Sequence, residues 1–140
     1  DSTVDDFEKC FSVNVKAAFV LCKEFSQGMV SKKWGRIVNI ASSSAYAGFK
    51  NTSIYCSSKH ALLGLSRSLH SELKEHNVRT FCVSPGPIKT SMGHDIIKNE
   101  NPDEKFDSFM NPNEIAEFIV YLISFDNEMV SEEIRLSRID

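Results

Sequence analysis

Gly35-Arg36-Ile37-Val38-Asn39-Ile40-Ala41-Ser42 combines a glycine break, a short β-branched run and a polar exit. Such a run, bounded by breakers on both sides, is the mark of a buried strand, expected over Arg36–Ala41. Upstream, Phe7, Phe11, Val15, Ala18, Leu21, Cys22, Phe25 and Met29 recur at helical spacing and predict a helix from about Asp5 to Lys33. Thr3 or Asp5 is the expected cap, and Asp5, Asp6 and Glu8 suit the positive end of a helix dipole. Downstream, the small and polar residues of Ser42–Thr52 read as a loop. Ala61, Leu62, Leu65, Leu69 and Leu73 then predict a second helix over Ser53–His76. Val78–Val83 is a second buried strand, ended by Ser84-Pro85-Gly86-Pro87. Lys89–Pro112 is polar, with only short helical possibilities near Ile96-Ile97; Asn113–Ser124 predicts a third helix and Glu133–Leu136 a last short strand. This alternation is that of an α/β chain, a parallel sheet covered by helices.

Bulk properties narrow the function classes. The 140 residues are 41% hydrophobic and 25% charged, a soluble globular composition with enough chain for a real core. A net charge of -3 with scattered cations argues against a nucleic-acid partner. The tightest basic group, Lys32, Lys33 and Arg36, solvates a helix end. Cys10, Cys22, Cys56 and Cys82 form no C-x-x-C pair and have no metal-ligand spacing, so no metal is expected, and Cys82 reads as a core residue. A reduced, cytoplasmic setting is the inference from that cysteine usage. No apolar run reaches the roughly 18 residues of a membrane span, and the first residues have neither the charged start nor the apolar core of a signal peptide, so a soluble, intracellular protein is expected.

In parallel sheets chemistry gathers where strands end at their carboxyl edges. Tyr55 and Lys59, four apart on a helix, share one face. A phenol titrates near 10, and an adjacent ammonium stabilises its anion, so the pair is suited to general acid–base work on an alcohol or ketone. Taken alone the spacing is common in helices whose lysine faces solvent. Ser42, thirteen residues before Tyr55 and directly after a buried strand, is placed to donate to a developing alkoxide. Ser43 and Ser44 come next, and the sequence leaves open which serine points inward. In Pro85-Gly86-Pro87-Ile88-Lys89-Thr90 the backbone is shaped to lie against a flat ligand, with an amide from Ile88 and a hydroxyl from Thr90; a plain strand-ending turn would need no threonine there. Asn14, inside the first helix, is a poor helix-interior residue and points to a structural or catalytic task.

Together these segments resemble the short-chain dehydrogenase/reductase family in its simple, non-extended branch. The match consists of Asn14 in an F-x-x-N-V-x-x-A-F helix, Gly35–Ile40 leading to Ser42, Tyr55-Cys56-Ser57-Ser58-Lys59 with Ala61 and Gly64, and Pro85–Thr90. The resemblance implies a Rossmann-like, doubly wound parallel sheet with helices on both faces. It implies an NAD- or NADP-dependent hydride transfer to or from a small carbonyl or alcohol: a 3-oxoacyl thioester, a ketone or a sugar alcohol. Tyr55 would exchange the proton, and Lys59 would lower its pKa and bind the nicotinamide ribose. Ser42 would polarise the substrate oxygen, and Asn14 would hold a water linking Lys59 to solvent. Pro85, Gly86, Ile88 and Thr90 would hold the nicotinamide ring. Members commonly pair through the two long helices, so a homodimer or homotetramer through residues 5–33 and 53–76 is expected.

Part of the family pattern is not in this sequence. It has no G-x-G-x-x-G turn, no residue selecting NAD over NADP and no N-A-G stretch. Residues 1–140 therefore read as the C-terminal, catalytic half of one domain, retained from a longer protein whose other half carries the dinucleotide fingerprint. The tail Glu133–Asp140 lacks the usual glycines, which makes Lys89–Pro112 the expected lid, with Met92, Ile96, Ile97 and Phe109 as its apolar contacts. The competing readings are a non-catalytic relative kept for binding or oligomerisation, an inactive fragment, and a nucleotide-sugar epimerase or dehydratase. The last shares Y-x-x-x-K but continues into a large substrate domain.

Overall fold

A computed structural model describes residues 2–100 and 105–139, excluding the side chains of 96, 99 and 100. The elements are α1 (Val4–Phe11), a π-helical segment (Ser12–Lys16), α2 (Ala17–Lys32), β1 (Gly35–Ile40), a 3-10 turn (Ser43–Ala45), α3 (Ser53–Leu73), β2 (Val78–Pro85), α4 (Ser91–Glu100), α5 (Pro112–Ser124) and β3 (Glu133–Leu136). Among the described residues they form one three-stranded sheet in the order β1-β2-β3. β1 and β2 are parallel, in register from Gly35 opposite Val78 to Ile40 opposite Val83. Two compact units divide the chain: residues up to 84 with 130–134, and 85–129 with 135–139.

In the first unit, α1 begins with a reciprocal cap. Thr3 Oγ1 accepts the Asp6 N–H at 3.1 Å, and the Asp6 carboxylate accepts the Thr3 N–H at 2.9 Å. The expected single helix is interrupted where the Ala17 N–H donates to Ser12, five residues back, so the turn around Asn14 is widened. α2 stops at Lys33, whose left-handed φ of 51° lets the Trp34 N–H return to the Met29 carbonyl. Gly35 is required next, because a Cβ there would lie 2.6 Å from the Met29 side chain. The corner at Asn77 (φ 56°) matches it, and its amide donates to the Lys33 carbonyl at 3.1 Å. One core cluster joins Cys22, Ile37, Leu73 and Val78; a second joins Ala41, Ala45, Leu62, Leu63 and Cys82.

The apolar surface of the first helix is covered only in part. Cys22 is the buried residue of α2 and α1 has none, while Phe19, Leu21 and Phe25 are at least half exposed. The helix has more apolar surface than one sheet edge covers.

In the second unit, a ten-residue helix, α4, stands where only short helical possibilities were expected. Thr90 Oγ1 accepts the Gly93 N–H at 3.2 Å at its start. Ile88 bridges to Met110 in parallel, with the Lys89 N–H on Met110 O and the Met110 N–H on Pro87 O, both at 2.9 Å. Phe109, expected as a lid contact, is 2% exposed and anchors the segment instead. Met92 is exposed, Ile97 is half-buried, and the Ile96 side chain lies outside the described residues. Asn111 caps α5 by accepting the Asn113 N–H, and Pro112 occupies its first turn.

Candidate active site

At the β1 exit Ser42 and Ser43 are half-buried and Ser44 is buried. Ser42 is extended and caps the 3-10 turn: its Oγ accepts the Ser44 N–H at 3.1 Å. A hydroxyl has one proton to give besides its lone pairs, so this bond leaves the Ser42 O–H as a donor. Ala45 is 1% exposed and packs with Leu62 and Leu63 of α3, which ties the turn to that helix.

α3 carries the remaining chemistry. Tyr55 is half-buried in its first turn, and the Lys59 ammonium lies 5.6 Å from the Tyr55 ring centroid. Lys59 Nζ donates at 3.0 Å to the Ile40 carbonyl, the last residue of β1. Burial pushes the Lys59 ammonium below its ordinary value. One of its three protons is thus committed to the strand end and two stay available to a ligand.

Asn14 projects from the π segment toward the same helix. Its Nδ2 donates to Ser58 Oγ at 3.0 Å, and Ser58 Oγ donates to the Tyr55 carbonyl at 2.8 Å. Cys10 Sγ stands 3.4 Å from the Asn14 amide and 3.5 Å from Ser58 Oγ. Ser58 is fully buried and is the link that sequence reasoning passed over. Its position three residues after Tyr55, one helical turn on, was the available signal. A groove of about 420 Å³ along β1 is lined by Asn14, Lys59, Arg36 and Asn39 together with apolar residues such as Val13, Phe25 and Ile37.

In the second unit, the Gly86 N–H donates to the Leu136 carbonyl at 2.9 Å and Pro85 is buried. Ile88 is half-buried, and its carbonyl accepts the Thr90 N–H at 2.8 Å. Thr90 already has a structural use as the cap of α4, so its presence does not by itself require a ligand.

A family model described as short chain dehydrogenase matches residues 1–101. The chain belongs to that family. Secoisolariciresinol dehydrogenase of Forsythia intermedia is 36% identical over 141 residues, covering 94% of this chain and 51% of that protein. Among solved structures, a putative NAD(P)-dependent gluconate 5-dehydrogenase from Beutenbergia cavernae with bound NADP superposes with a TM-score of 0.89 at 26% identity, covering 98% of this chain and 58% of that one. A 4-hydroxyisoleucine dehydrogenase mutant complexed with NADH and succinate gives a TM-score of 0.84 at 30% identity, over 96% of this chain and 59% of its own. The chain therefore spans about half the length of the short-chain dehydrogenases it matches. Its parallel sheet and helices are of the Rossmann-like α/β class seen in those neighbours. Among the described residues no helix is long and apolar enough to cross a membrane.

Proposed function

We propose that residues 1–140 are the catalytic half of an NAD- or NADP-dependent oxidoreductase that interconverts a small ketone, 3-oxoacyl thioester or sugar alcohol with its redox partner. The observation that carries this reading is the uncommitted Ser42 proton in the unit that also holds Tyr55, Lys59 and Asn14. The donor set suits a nicotinamide ribose: a partly buried ammonium with two free protons beside a phenol. When bound, the nicotinamide supplies or removes the hydride.

In the reductive direction, the Tyr55 hydroxyl delivers its proton to the substrate oxygen as negative charge develops there. Ser42 donates to the same oxygen and stabilises it before and during that transfer. The Lys59 cation favours the phenolate left on Tyr55, while its hold on the Ile40 carbonyl fixes the ammonium at the strand end. Asn14, braced through Ser58 against the Tyr55 carbonyl, borders the groove by which a water would return a proton to Lys59. Pro85, Gly86, Ile88 and Thr90 are assigned to the nicotinamide ring on the family resemblance.

The relatives' greater length and the position of β1 at an edge of the described sheet support a companion half that carries the dinucleotide fingerprint. The exposed Phe19 supports a homodimer or homotetramer through residues 5–33 and 53–76, and the cysteine usage supports a cytoplasmic setting.

Tyr55→Phe in the full-length protein is the direct test. Turnover should fall by about 10²–10⁴-fold, the range of general acid–base catalysis, with cofactor affinity held within a few-fold. Turnover near wild type would remove Tyr55 from the mechanism.

A further inference from the structure

Three elements of the first unit converge on one carboxylate. Glu133, at the start of β3, receives Arg67 of α3 in a two-pronged ion pair, Nε on Oε1 and an NH2 group on Oε2 at 3.0 Å. Its Oε2 also accepts the Tyr46 hydroxyl at 3.1 Å. Tyr46 ends the 3-10 turn that Ser42 begins, and its N–H donates to the Ser43 carbonyl. Arg67 lies on the helix that carries Tyr55 and Lys59. A two-pronged arginine–carboxylate contact fixes geometry as well as charge. The carboxylate is therefore a fixed post, with the Ser42 turn tethered to one side and the helix of Tyr55 to the other.

We propose that Tyr46, held by Glu133 and Arg67, is a positioning residue that sets where the Ser42 hydroxyl points relative to Tyr55. The inference rests on the proposed role of Ser42 as donor to the substrate oxygen. Tyr46 touches no reacting atom; it acts by denying the Ser43–Ala45 turn the freedom to rotate. The local pKa directions agree with an intact tether. Hydrogen bonds from Arg67 hold the Glu133 carboxyl below its ordinary value, and burial together with Glu133 holds the Tyr46 phenol above its own, so acceptor and donor are both in the required form at neutral pH. Ala45 and the Tyr46 ring both pack against the core cluster and limit the drift of the turn, and the hydroxyl tether adds a directional restraint to that packing.

A double-mutant cycle in the full-length enzyme tests this. Tyr46→Phe keeps the ring and removes only the hydroxyl. It should lower kcat on the order of tenfold to hundredfold, as expected for a small misplacement of a catalytic group, with the KM for cofactor unchanged. In a Ser42→Ala background, whose residual rate stays measurable, Tyr46→Phe should cost nothing further, because the group it positions is gone. Equal losses in both backgrounds would overturn the proposal, as would an unchanged kcat in Tyr46→Phe alone. Either result leaves the role of Ser42 standing if Ser42→Ala alone is crippled. Ser42→Ala at the wild-type rate would instead remove that role, and the positioning argument with it. Glu133→Gln is read in the same cycle should Tyr46→Phe fail to fold. It keeps one oxygen for Tyr46, so its loss should be smaller than that of Glu133→Ala, and equal losses from the two would overturn the tether.

Discussion

Two strand exits, at the ends of β1 and β2, use the same opening device and are secured differently. Each carries a hydroxyl that caps the next helical segment: Ser42 accepts from Ser44, and Thr90, five residues beyond β2, accepts from Gly93. After β1, the turn is held by side chains from distant parts of the chain, with Ala45 in a core cluster and Tyr46 on Glu133. After β2, the path is held by backbone, through Gly86 to Leu136 and the Ile88–Met110 bridge, with one aromatic ring, Phe109, buried beside it. Side-chain anchors fix the direction of one hydroxyl; backbone anchors fix a path and leave the surface open. The first suits a group that must meet a reacting atom, and the second suits a strip laid along a ligand.

The largest effect separating the two exits is expected at Phe109. If one buried ring secures the second exit, Phe109→Ala should cost about 3–5 kcal/mol, the range for emptying an aromatic core position. Limited proteolysis of the full-length protein should then open 85–129 while the segment around Ser42 stays protected. Simultaneous cleavage of both segments would mean that they share one cooperative unit and that the two exits are not secured independently.

Gly93 tests the same exit at closer range. A Cβ at this position would collide with the Ile88 carbonyl oxygen and lie 3.0 Å from the Phe109 ring. The first turn of α4 is thus laid on Ile88 with no space between. Gly93→Ala should push the helix start and Ile88 apart, at a cost of about 1–3 kcal/mol, typical of overpacking. If Ile88 serves the nicotinamide, the KM for cofactor should rise more than kcat falls. Unaltered stability would show that the segment relaxes freely and is not held by its backbone.

The same contrast explains what the sequence disclosed. The β-branched Ile37, Val38 and Ile40 announced β1, although only Ile37 of the three is buried and Ile40 is exposed on the edge strand. Leu62, Leu65, Leu69 and Leu73 announced α3 by their helical spacing. Ser42, Tyr55, Lys59 and Asn14 were legible through spacing and family resemblance. The widened turn at Ser12–Lys16 was not, since one extra residue in a helical turn barely disturbs an apolar periodicity. α4 escaped notice because it packs partly through a glycine, which carries no hydrophobic signal. The tether from Tyr46 to Glu133 spans 87 residues, and no local rule pairs positions so far apart.

The smallest effect is expected at Thr90, where two accounts of one hydroxyl compete. As a helix cap, its Oγ1 accepts the Gly93 N–H, and Thr90→Val should cost about 1 kcal/mol of stability while Thr90→Ser costs little. As a cofactor contact, the same O–H would turn to the ligand from its long 3.4 Å contact with the Ile88 carbonyl, because capping uses only a lone pair. Thr90→Val should then also weaken cofactor binding, by about tenfold for a lost hydrogen bond of ordinary strength, and Thr90→Ser should restore it. Calorimetric titration of the full-length protein, read beside its unfolding midpoint, separates the two. Loss of stability with unchanged affinity would assign Thr90 to α4 alone and reduce the parallel with Ser42 to one of capping. Loss of both would make the second exit chemically equivalent to the first, each hydroxyl accepting from its own turn and donating to a ligand.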